Sequence, residues 1–387
     1  MAPRFTHRLL DRKATLVDGT LRTTPLATTW QKFSTLAPVA GITRLADLTG
    51  LDSIGIPVWT AIRPRSRSLS TQQGKGLTPL AAKVSALMES LETWAAETVA
   101  ERKPIVRATV AEVGARAIDV KGLARGPGKL GRSTQLQWIA GWDLAADRDV
   151  YVPLDAVTLD TTFTAPPVFD ISSNGLASGN DLVEAIVHGL CEVLERDAEA
   201  AWRRSGGDRR LVLDTIPDPA CRGLIDRITK TGARVFVWHL PTDASVCVIG
   251  AAIVEDPREP AWRALGCYQG FGAHLRPEIA IARALTEAAQ TRVTYIAGGR
   301  DDFFAADYAR ATDPEILADL WERLAAPCDE PVLFEDLPRA ETRSLGRDLE
   351  VLMRGLDSVV VVDLSHAELP VVKVIVPGRA TDVEALG

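Results

Sequence analysis

The stretch Ser85-Ala-Leu-Met-Glu89-Ser-Leu-Glu92 places polar side chains at positions i, i+4 and i+7 of an otherwise mostly apolar segment. On an α-helix these positions share one narrow face, because four and seven residues are close to one and two full turns. Two later stretches repeat this spacing: His188-Gly-Leu-Cys-Glu192-Val-Leu-Glu195 and Arg283-Ala-Leu-Thr-Glu287-Ala-Ala-Gln290. Since burying an unpaired carboxylate is costly, the three acid-bearing faces predict helices that converge on bound cations.

Composition and charge are those of an ordinary globular protein. The 387 residues are 46% hydrophobic and 25% charged, and mean hydropathy is +0.04. A net charge of -7 argues against nucleic-acid binding as the main function. The five cysteines have no metal-ligand spacing, and no apolar run reaches the length of a signal peptide or membrane span. We therefore expect a cytoplasmic protein that binds neither nucleic acid nor membrane.

The pattern along the chain predicts an α/β (α+β) fold. Residues 1–38 show little periodicity and are expected to form an extended lead segment, whereas residues 39–387 are expected to form one compound domain. A polar loop is predicted from Ser66 to Gly76. The long helices are predicted from Pro79 to about Glu101, Leu182 to Arg204 and Pro277 to Tyr295, and the clearest strands at Gly55 to Ile62, Leu136 to Trp142, Val235 to Leu240, Val246 to Val254, Val359 to Leu364 and Val371 to Val376.

The acid-bearing stretches belong to a longer internal repeat. A shift of 103 residues matches Gly76 with Gly179 and Glu89 with Glu192, and a shift of 198 matches Glu89 with Glu287. Helices commonly carry Glu-x-x-Glu, so chance is the alternative explanation for any one copy. Three copies, two of them preceded by a glycine, favour related loop-helix units around a shared site.

The acidic residues suggest magnesium. Mg²⁺ prefers a few carboxylates together with water and substrate phosphates, so an oxygen-rich cluster points toward a nucleotide. The chain has no Gly-x-x-x-x-Gly-Lys-Ser/Thr motif, and Gly74-Lys75-Gly76 alone is a weak signal that also fits a flexible entry to a helix. Glu184 lies one turn before His188 and joins the same face. The metal-ligand candidates are Glu89, Glu92, Glu184, Glu192 and Glu195.

His188 is the candidate catalytic residue. It is the only group on these faces whose unperturbed pKa lies near neutrality, although a buried structural histidine is the commoner explanation. On the third helix Arg283 and Gln290 flank Glu287 and are expected to meet phosphate oxygens, because a guanidinium binds phosphate in a two-pronged fork. Arg292 lies on the opposite side of a regular helix. Arg300-Asp301-Asp302 is interpreted as a salt bridge within a loop.

Taken together, several motifs resemble the YcaO family, over roughly residues 40 to 378. Members of that family bind ATP and Mg²⁺ without a P-loop and phosphorylate the oxygen of a peptide backbone amide, so the resemblance implies a YcaO-type compound domain of antiparallel and mixed sheets flanked by helices. A nucleophile then adds to the amide carbon and phosphate leaves. The motifs are Thr49-Gly-Leu-Asp52-Ser-Ile-Gly-Ile-Pro57-Val, Gly74-Lys-Gly76, Ser85-x3-Glu89-x2-Glu92, Ser173-Asn-Gly-Leu-Ala-Ser-Gly179, Glu184-x7-Glu192-x2-Glu195-Arg196-Asp197 and Thr286-Glu-Ala-Ala-Gln290-Thr-Arg292.

The resemblance also implies which residues meet the nucleotide. Two departures from the family pattern weaken the transfer: Thr93 stands where an arginine usually follows Glu92, and Ala177 stands where a serine is frequent. The predicted ATP-binding residues are Lys75, Ser85, Glu89, Arg196, Arg283, Glu287, Gln290 and Arg292.

The branch of the family is predicted from short segments. Residues 88–97 and 188–197 are similar to the branch that works with a TfuA partner, which is associated with backbone thioamidation by external sulfide. Residues 376–387 contain one proline, whereas azoline-forming members typically end in a proline-rich tail. We therefore expect a precursor peptide as substrate and a TfuA-type partner or sulfur donor. Azoline formation, a non-catalytic ATP-binding accessory role and a homodimer remain open alternatives.

Overall fold

The computed structural model describes residues 14–17, 19–162, 164–258, 265–328, 330–340, 342 and 344–379. Predictions for residues 1–13 and 380–387 lie outside these ranges. The strands are β1 (Thr15–Val17), β2 (Thr20–Arg22), β3 (Arg44–Asp47), β4 (Val58–Ile62), β5 (Thr71–Lys75), β6 (Ile105–Ala108), β7 (Leu136–Asp143), β8 (Arg148–Pro153), β9 (Leu176–Ser178), β10 (Arg234–Leu240), β11 (Cys247–Val254), β12 (Tyr268–His274), β13 (Val360–Asp363) and β14 (Val371–Ile375).

Ten α-helices accompany these strands in the described ranges. The three longest are the predicted acid-bearing helices. The helices are α1 (Leu26–Phe33), α2 (Pro79–Glu97), α3 (Val99–Arg102), α4 (Val110–Val113), α5 (Leu182–Ser205), α6 (Pro219–Thr229), α7 (Pro277–Ala297), α8 (Ala305–Ala311), α9 (Pro314–Ala325) and α10 (Leu345–Leu352).

The strands form antiparallel sheets, and a long helix packs on each of the three larger ones. One sheet has the order β3-β4-β5 and carries α2, and a second has the order β10-β11-β12 and carries α7. The central sheet has the order β6-β7-β13-β14-β9, with β8 also paired to β7, and α5 packs on β14 and β9. The prediction of an α/β fold with sheets flanked by helices is confirmed.

Local sequence explains where the long helices begin and end. Thr78 caps α2, since its side chain accepts a hydrogen bond from the N–H of Ala81 at 3.2 Å, and Asp181 caps α5 through the N–H of Glu184 at 3.0 Å. Helix α5 ends at Gly206 and α7 at Gly298, both in the left-handed conformation that glycine adopts without strain. Helix α2 ends at Glu97, four residues earlier than predicted, because the backbone leaves the helical conformation at Thr98.

In the internal repeat, a glycine in or just after a strand packs closely against the helix that follows that strand. A Cβ on Gly76 would lie 2.9 Å from the backbone nitrogen of Ala82, and one on Gly179 would lie 2.7 Å from that of Ala185, 103 residues later in each case. Gly74 and Gly272 are 198 residues apart. A Cβ on Gly74 would also come too close to the next helix, near residue 85, and one on Gly272 would do so near residue 283. A side chain at any of these positions would push the helix off the sheet.

Three strands and the lead segment differ from prediction. Strand β5 lies within the stretch predicted as a polar loop, because its Gln72, Gln73 and Lys75 side chains border a polar cavity instead of an apolar core. Strands β9 and β12 were also not predicted. The described part of the lead is not simply extended: β1 pairs with β2, and α1 buries Leu26 and Phe33 in the core. The boundary at residue 38 remains a prediction.

Candidate functional site

A cavity of about 830 Å³ opens between the acid-bearing faces of α2, α5 and α7. Strand β5 and the segment around β2 close two of its sides. The predicted site residues that line it are Lys75, Ser85, Glu89, Glu92, Glu184, His188, Glu192, Glu195, Arg196, Arg283, Glu287 and Gln290. The tertiary structure therefore brings together residues spread over more than 200 positions of the chain, as the helical spacing had suggested.

Four glutamates on α2 and α5 have raised pKa values. Removal from bulk water raises the pKa of Glu92 to about 8, although Ser178 lowers it by donating from its N–H at 3.0 Å and its hydroxyl at 2.6 Å. The same cause raises the pKa of Glu89 to about 7 and that of Glu195 to about 7, and it also raises that of Glu192. Oε2 of Glu195 is buried without a hydrogen bond. A cation bound beside these carboxyl groups would lower their pKa values and favour their ionised form.

The glutamate on α7 behaves in the opposite way. Burial alone would raise the pKa of Glu287, but Lys75 and Arg196 lower it to about 2. Nζ of Lys75 lies 2.6 Å from Oε2 of Glu287, and a guanidinium nitrogen of Arg196 lies 3.6 Å from Oε1. Glu287 is therefore ionised and already neutralised by protein cations.

Glu184 is also paired, by the segment before α1. Its two oxygens accept hydrogen bonds from Arg22 at 3.0 Å, from the N–H and hydroxyl of Thr23 at 3.0 and 2.6 Å, and from Asn180 at 3.1 and 3.2 Å. Burial opposes ionisation, yet Arg22 and these donors lower the pKa of Glu184. Glu184 thus holds residues 22 and 23 in place through hydrogen bonds. Its assignment as a metal ligand stays a prediction.

His188 does not titrate near neutrality. Burial and the nearby Arg283 guanidinium lower its pKa well below the usual value of 6.5. Nη2 of Arg283 lies 3.3 Å from Nε2 of His188, and since arginine can only donate, Nε2 is the acceptor. The lowered pKa argues against His188 as the near-neutral group, and its assignment as the catalytic residue stays a prediction. The carboxyl groups of Glu89, Glu92 and Glu195 have pKa values raised to about 7 to 8.

Arg292 lies outside the cavity lining, so its prediction as a nucleotide ligand is corrected. Its side chain is fully buried, and its guanidinium donates to Asp52 at 3.0 Å and to Glu255 at 2.8 Å. Gln290, two residues earlier, does line the cavity and donates to the backbone oxygen of Gln73 at 3.2 Å. The two residues differ because they lie on different faces of α7, as the helical period requires.

Two arginines that border the cavity were missed. Arg22, which lines the cavity, was overlooked because it lies in the segment predicted as an extended lead. Arg300 was interpreted as half of a loop salt bridge, and it does pair with Asp302 at 2.8 Å, but both side chains also line the cavity. No helical spacing could have found either residue, since both lie outside the repeated helices.

The residues present fit a magnesium-nucleotide ligand. In the part of the chain that the structure describes, no three His, Cys, Asp or Glu side chains form a ready-made cation site. Mg²⁺ is commonly held by one or two protein carboxylates, and water and phosphate oxygens complete its coordination. The acids of the cavity fit this pattern, because they lie near one another without converging on one point. The raised pKa values of Glu89 and Glu92 mark a deficit of positive charge that a divalent ion would relieve.

Comparison with known families assigns the chain. Residues 73–380 match the family model described as YcaO cyclodehydratase, ATP- and Mg²⁺-binding. The chain belongs to the YcaO family. The cofactor prediction of ATP and Mg²⁺ is confirmed, since both are part of the description of the family.

Several relatives match the chain over most of its length. An uncharacterized protein of Methanothermobacter thermautotrophicus is 35% identical over 378 residues, covering 93% of this chain and 96% of that protein. An uncharacterized protein in the tfuA 3' region of Rhizobium leguminosarum bv. trifolii is 36% identical over 368 residues, covering 89% of this chain and 84% of the relative.

Two solved structures share the fold. YcaO from Methanopyrus kandleri, bound with AMPPCP and Mg²⁺, superposes with a TM-score of 0.76 at 27% identity, covering 96% of both chains. A heterocyclase in complex with substrate and cofactor superposes with a TM-score of 0.80 at 24% identity, covering 96% of this chain and 55% of that one, which shows the fold alone. None of the helices in the described ranges has the length and apolar character needed to span a membrane.

Proposed function

We propose that this protein uses ATP and Mg²⁺ to activate a backbone amide of a precursor peptide, and that sulfide then converts the amide to a thioamide with the help of a TfuA-type partner. The observation that carries the proposal is the cavity in which Glu89, Glu92, Glu192 and Glu195 have raised pKa values opposite the cations around Glu287. The name of the Rhizobium relative, which places it beside tfuA, supports the choice of sulfide as nucleophile.

In this reaction ATP supplies the phosphoryl group that turns the amide oxygen into a leaving group. Hydrosulfide adds to the amide carbon, and the carbon-oxygen bond breaks to release phosphate, which carries the former amide oxygen. The products are the thioamide, ADP and phosphate. No redox partner is needed, since sulfur enters and leaves the sequence of steps in the same oxidation state.

The residues of the chain would mainly bind and orient. Glu89, Glu92, Glu192 and Glu195 would hold the divalent ion together with phosphate oxygens. The cations Lys75, Arg196 and Arg283 border the same space and would bind the phosphates, while Ser85 and Gln290 would contact the nucleotide. Holding the reactants in register and stabilising transferred charge are the main contributions a protein makes to phosphoryl transfer.

His188 would act on Arg283 rather than on the substrate. A neutral imidazole accepts a hydrogen bond from Arg283 and so fixes the direction of that guanidinium without competing for phosphate. His188 is in this proposal a positioning residue. Its replacement by asparagine would preserve an acceptor, whereas replacement by alanine would release Arg283.

Azoline formation is the second candidate, favoured by the description of the family as cyclodehydratases. Here a Cys, Ser or Thr side chain of the peptide would attack the activated amide carbon, and the net change would be loss of water. Both candidates need the same nucleotide site, so the cavity does not discriminate between them.

Intact-mass measurement separates the candidates. The purified chain is incubated with ATP, Mg²⁺, sodium sulfide and candidate precursor peptides, with and without a TfuA-type protein. Exchange of oxygen for sulfur supports the proposal, and loss of water supports the alternative. Glu92→Gln serves as the inactive control. An unchanged peptide together with ATP turnover that survives Glu92→Gln would contradict both enzyme functions and favour an accessory role.

A further inference from the structure

We propose that Arg300 binds a phosphate of the nucleotide and is delivered to the site by the loop that follows α7. This inference rests on the proposed function only in taking a magnesium nucleotide as the ligand. Arg300 lies outside all three repeated helices and borders the cavity together with Asp302 and Phe303.

Arg300 borders the same cavity as the acids of the predicted metal site. The side chains of Arg300, Glu89 and Glu92 all line that space. A guanidinium at the edge of an acidic cavity can meet a phosphate that a divalent ion holds there, because its fork of N–H donors matches phosphate oxygens.

The loop is fixed in place by the start of β5. The Asp301 carboxylate accepts hydrogen bonds from the N–H of Ser70 at 2.9 Å and from its hydroxyl at 2.8 Å. The hydroxyl of Thr71 donates to the backbone oxygen of Gly299 at 3.0 Å. These contacts on both sides of Arg300 hold its backbone at the cavity edge.

Arg300 is also more available than Lys75. Its Nε and Nη2 donate to Asp302, while Nη1 makes no hydrogen bond to any residue in the described ranges. The side chains of Arg300 and Asp302 are 34% and 40% exposed, and exposed ion pairs of this kind are weak. Lys75, in contrast, is held by Glu287 with only 25% and 19% of the two side chains exposed.

Helix α2 provides no cation at this point of the cavity. Thr93 lines the cavity one turn after Glu89, and its hydroxyl donates to the backbone oxygen of Glu89 at 2.9 Å. The Phe303 ring lies 5.2 Å from the Arg300 guanidinium and supports it from one side. Arg300 thus supplies, from a loop, the positive charge that α2 lacks beside Glu89.

The test measures binding of AMPPCP in the presence of Mg²⁺ by calorimetry. Arg300→Ala is expected to weaken binding by about 10- to 100-fold, because a hydrogen bond between charged groups contributes about 1.5–3 kcal/mol. Arg300→Lys is expected to lose less, and AMP, which lacks the outer phosphates, is expected to bind both variants equally. The matched control is Arg347→Ala, whose side chain is 72% exposed and pairs with Glu350 on α10.

A second variant tests the position of the charge. Thr93→Arg in the Arg300→Ala background is expected to recover part of the lost affinity, since it places a guanidinium beside Glu89 from the other side. Unchanged AMPPCP affinity in Arg300→Ala would overturn the inference while leaving the proposed function intact, and weaker peptide binding in the same variant would assign Arg300 to the peptide. Absence of AMPPCP binding by the unaltered protein would overturn both.

Discussion

Two walls of the cavity both carry glutamates, but the pKa values of these glutamates are shifted in opposite directions. The acidic wall, defined by Glu89, Glu92, Glu192 and Glu195 on α2 and α5, consists of carboxylates with raised pKa values. The paired wall, defined by Glu287 with Lys75 and Arg196, has a carboxylate whose pKa is lowered to about 2. Helical spacing is the same on both. The difference lies in the neighbouring side chains: Glu287 is neutralised by protein cations, whereas the glutamates of the acidic wall would be neutralised by a bound cation.

The largest expected effect follows from removing a charge from the acidic wall. Glu92→Gln should weaken binding of magnesium AMPPCP by about 100-fold or more, since the amide cannot replace a carboxylate toward a divalent ion. Calorimetry at several Mg²⁺ concentrations would measure it. Glu322→Gln, an exposed position on α9, is the control. Equal affinity in Glu92→Gln would show that the acidic wall is structural.

An intermediate effect is expected from breaking the paired wall. Lys75→Met leaves Glu287 with one cation, so the pKa of Glu287 should rise and the free energy of unfolding should fall by about 1–3 kcal/mol. Chemical denaturation would measure the change, with Lys121→Met at an exposed position as the control. The double variant Lys75→Met/Glu287→Gln should recover most of the stability. If the two single changes were simply additive, the pair would not be coupled.

The smallest expected effect is the pH dependence of stability without ligand. A carboxylate whose pKa is raised to about 7 or 8 in the folded protein binds more protons there than in the unfolded chain, so the free energy of unfolding should fall as pH rises from about 5 to 8. Glu287, with its lowered pKa, contributes stability above pH 4.5 that is lost as pH falls toward 2.

Thermal unfolding from pH 5 to 8 checks this dependence. Tm should fall across this range as the buried carboxylates ionise. Glu92→Gln should flatten the profile, and magnesium AMPPCP should raise Tm most at high pH, where the acidic wall is ionised. A Tm that rises with pH over this window would contradict the raised pKa values.

Regular periodicity made much of this molecule predictable. The period of 3.6 residues placed Glu92, Glu192 and Glu287 on single faces of long helices. Strand β5 was missed because its polar side chains serve a cavity and so lack the alternation of a half-buried strand. Arg300 was missed because a loop has no period from which its direction could be read.

The sequence by itself determined the three acid-bearing helices and the glycine repeat that packs them on the sheets, because these depend on local spacing, and its motifs carried the resemblance to the family. Only the tertiary structure decided the state of each charge. Glu184 is occupied by Arg22 from 162 residues away, Arg292 is buried between Asp52 and Glu255, and Arg300 reaches the cavity. The charge state of a buried group depends on its neighbours in space, and in a folded chain those neighbours come from distant positions.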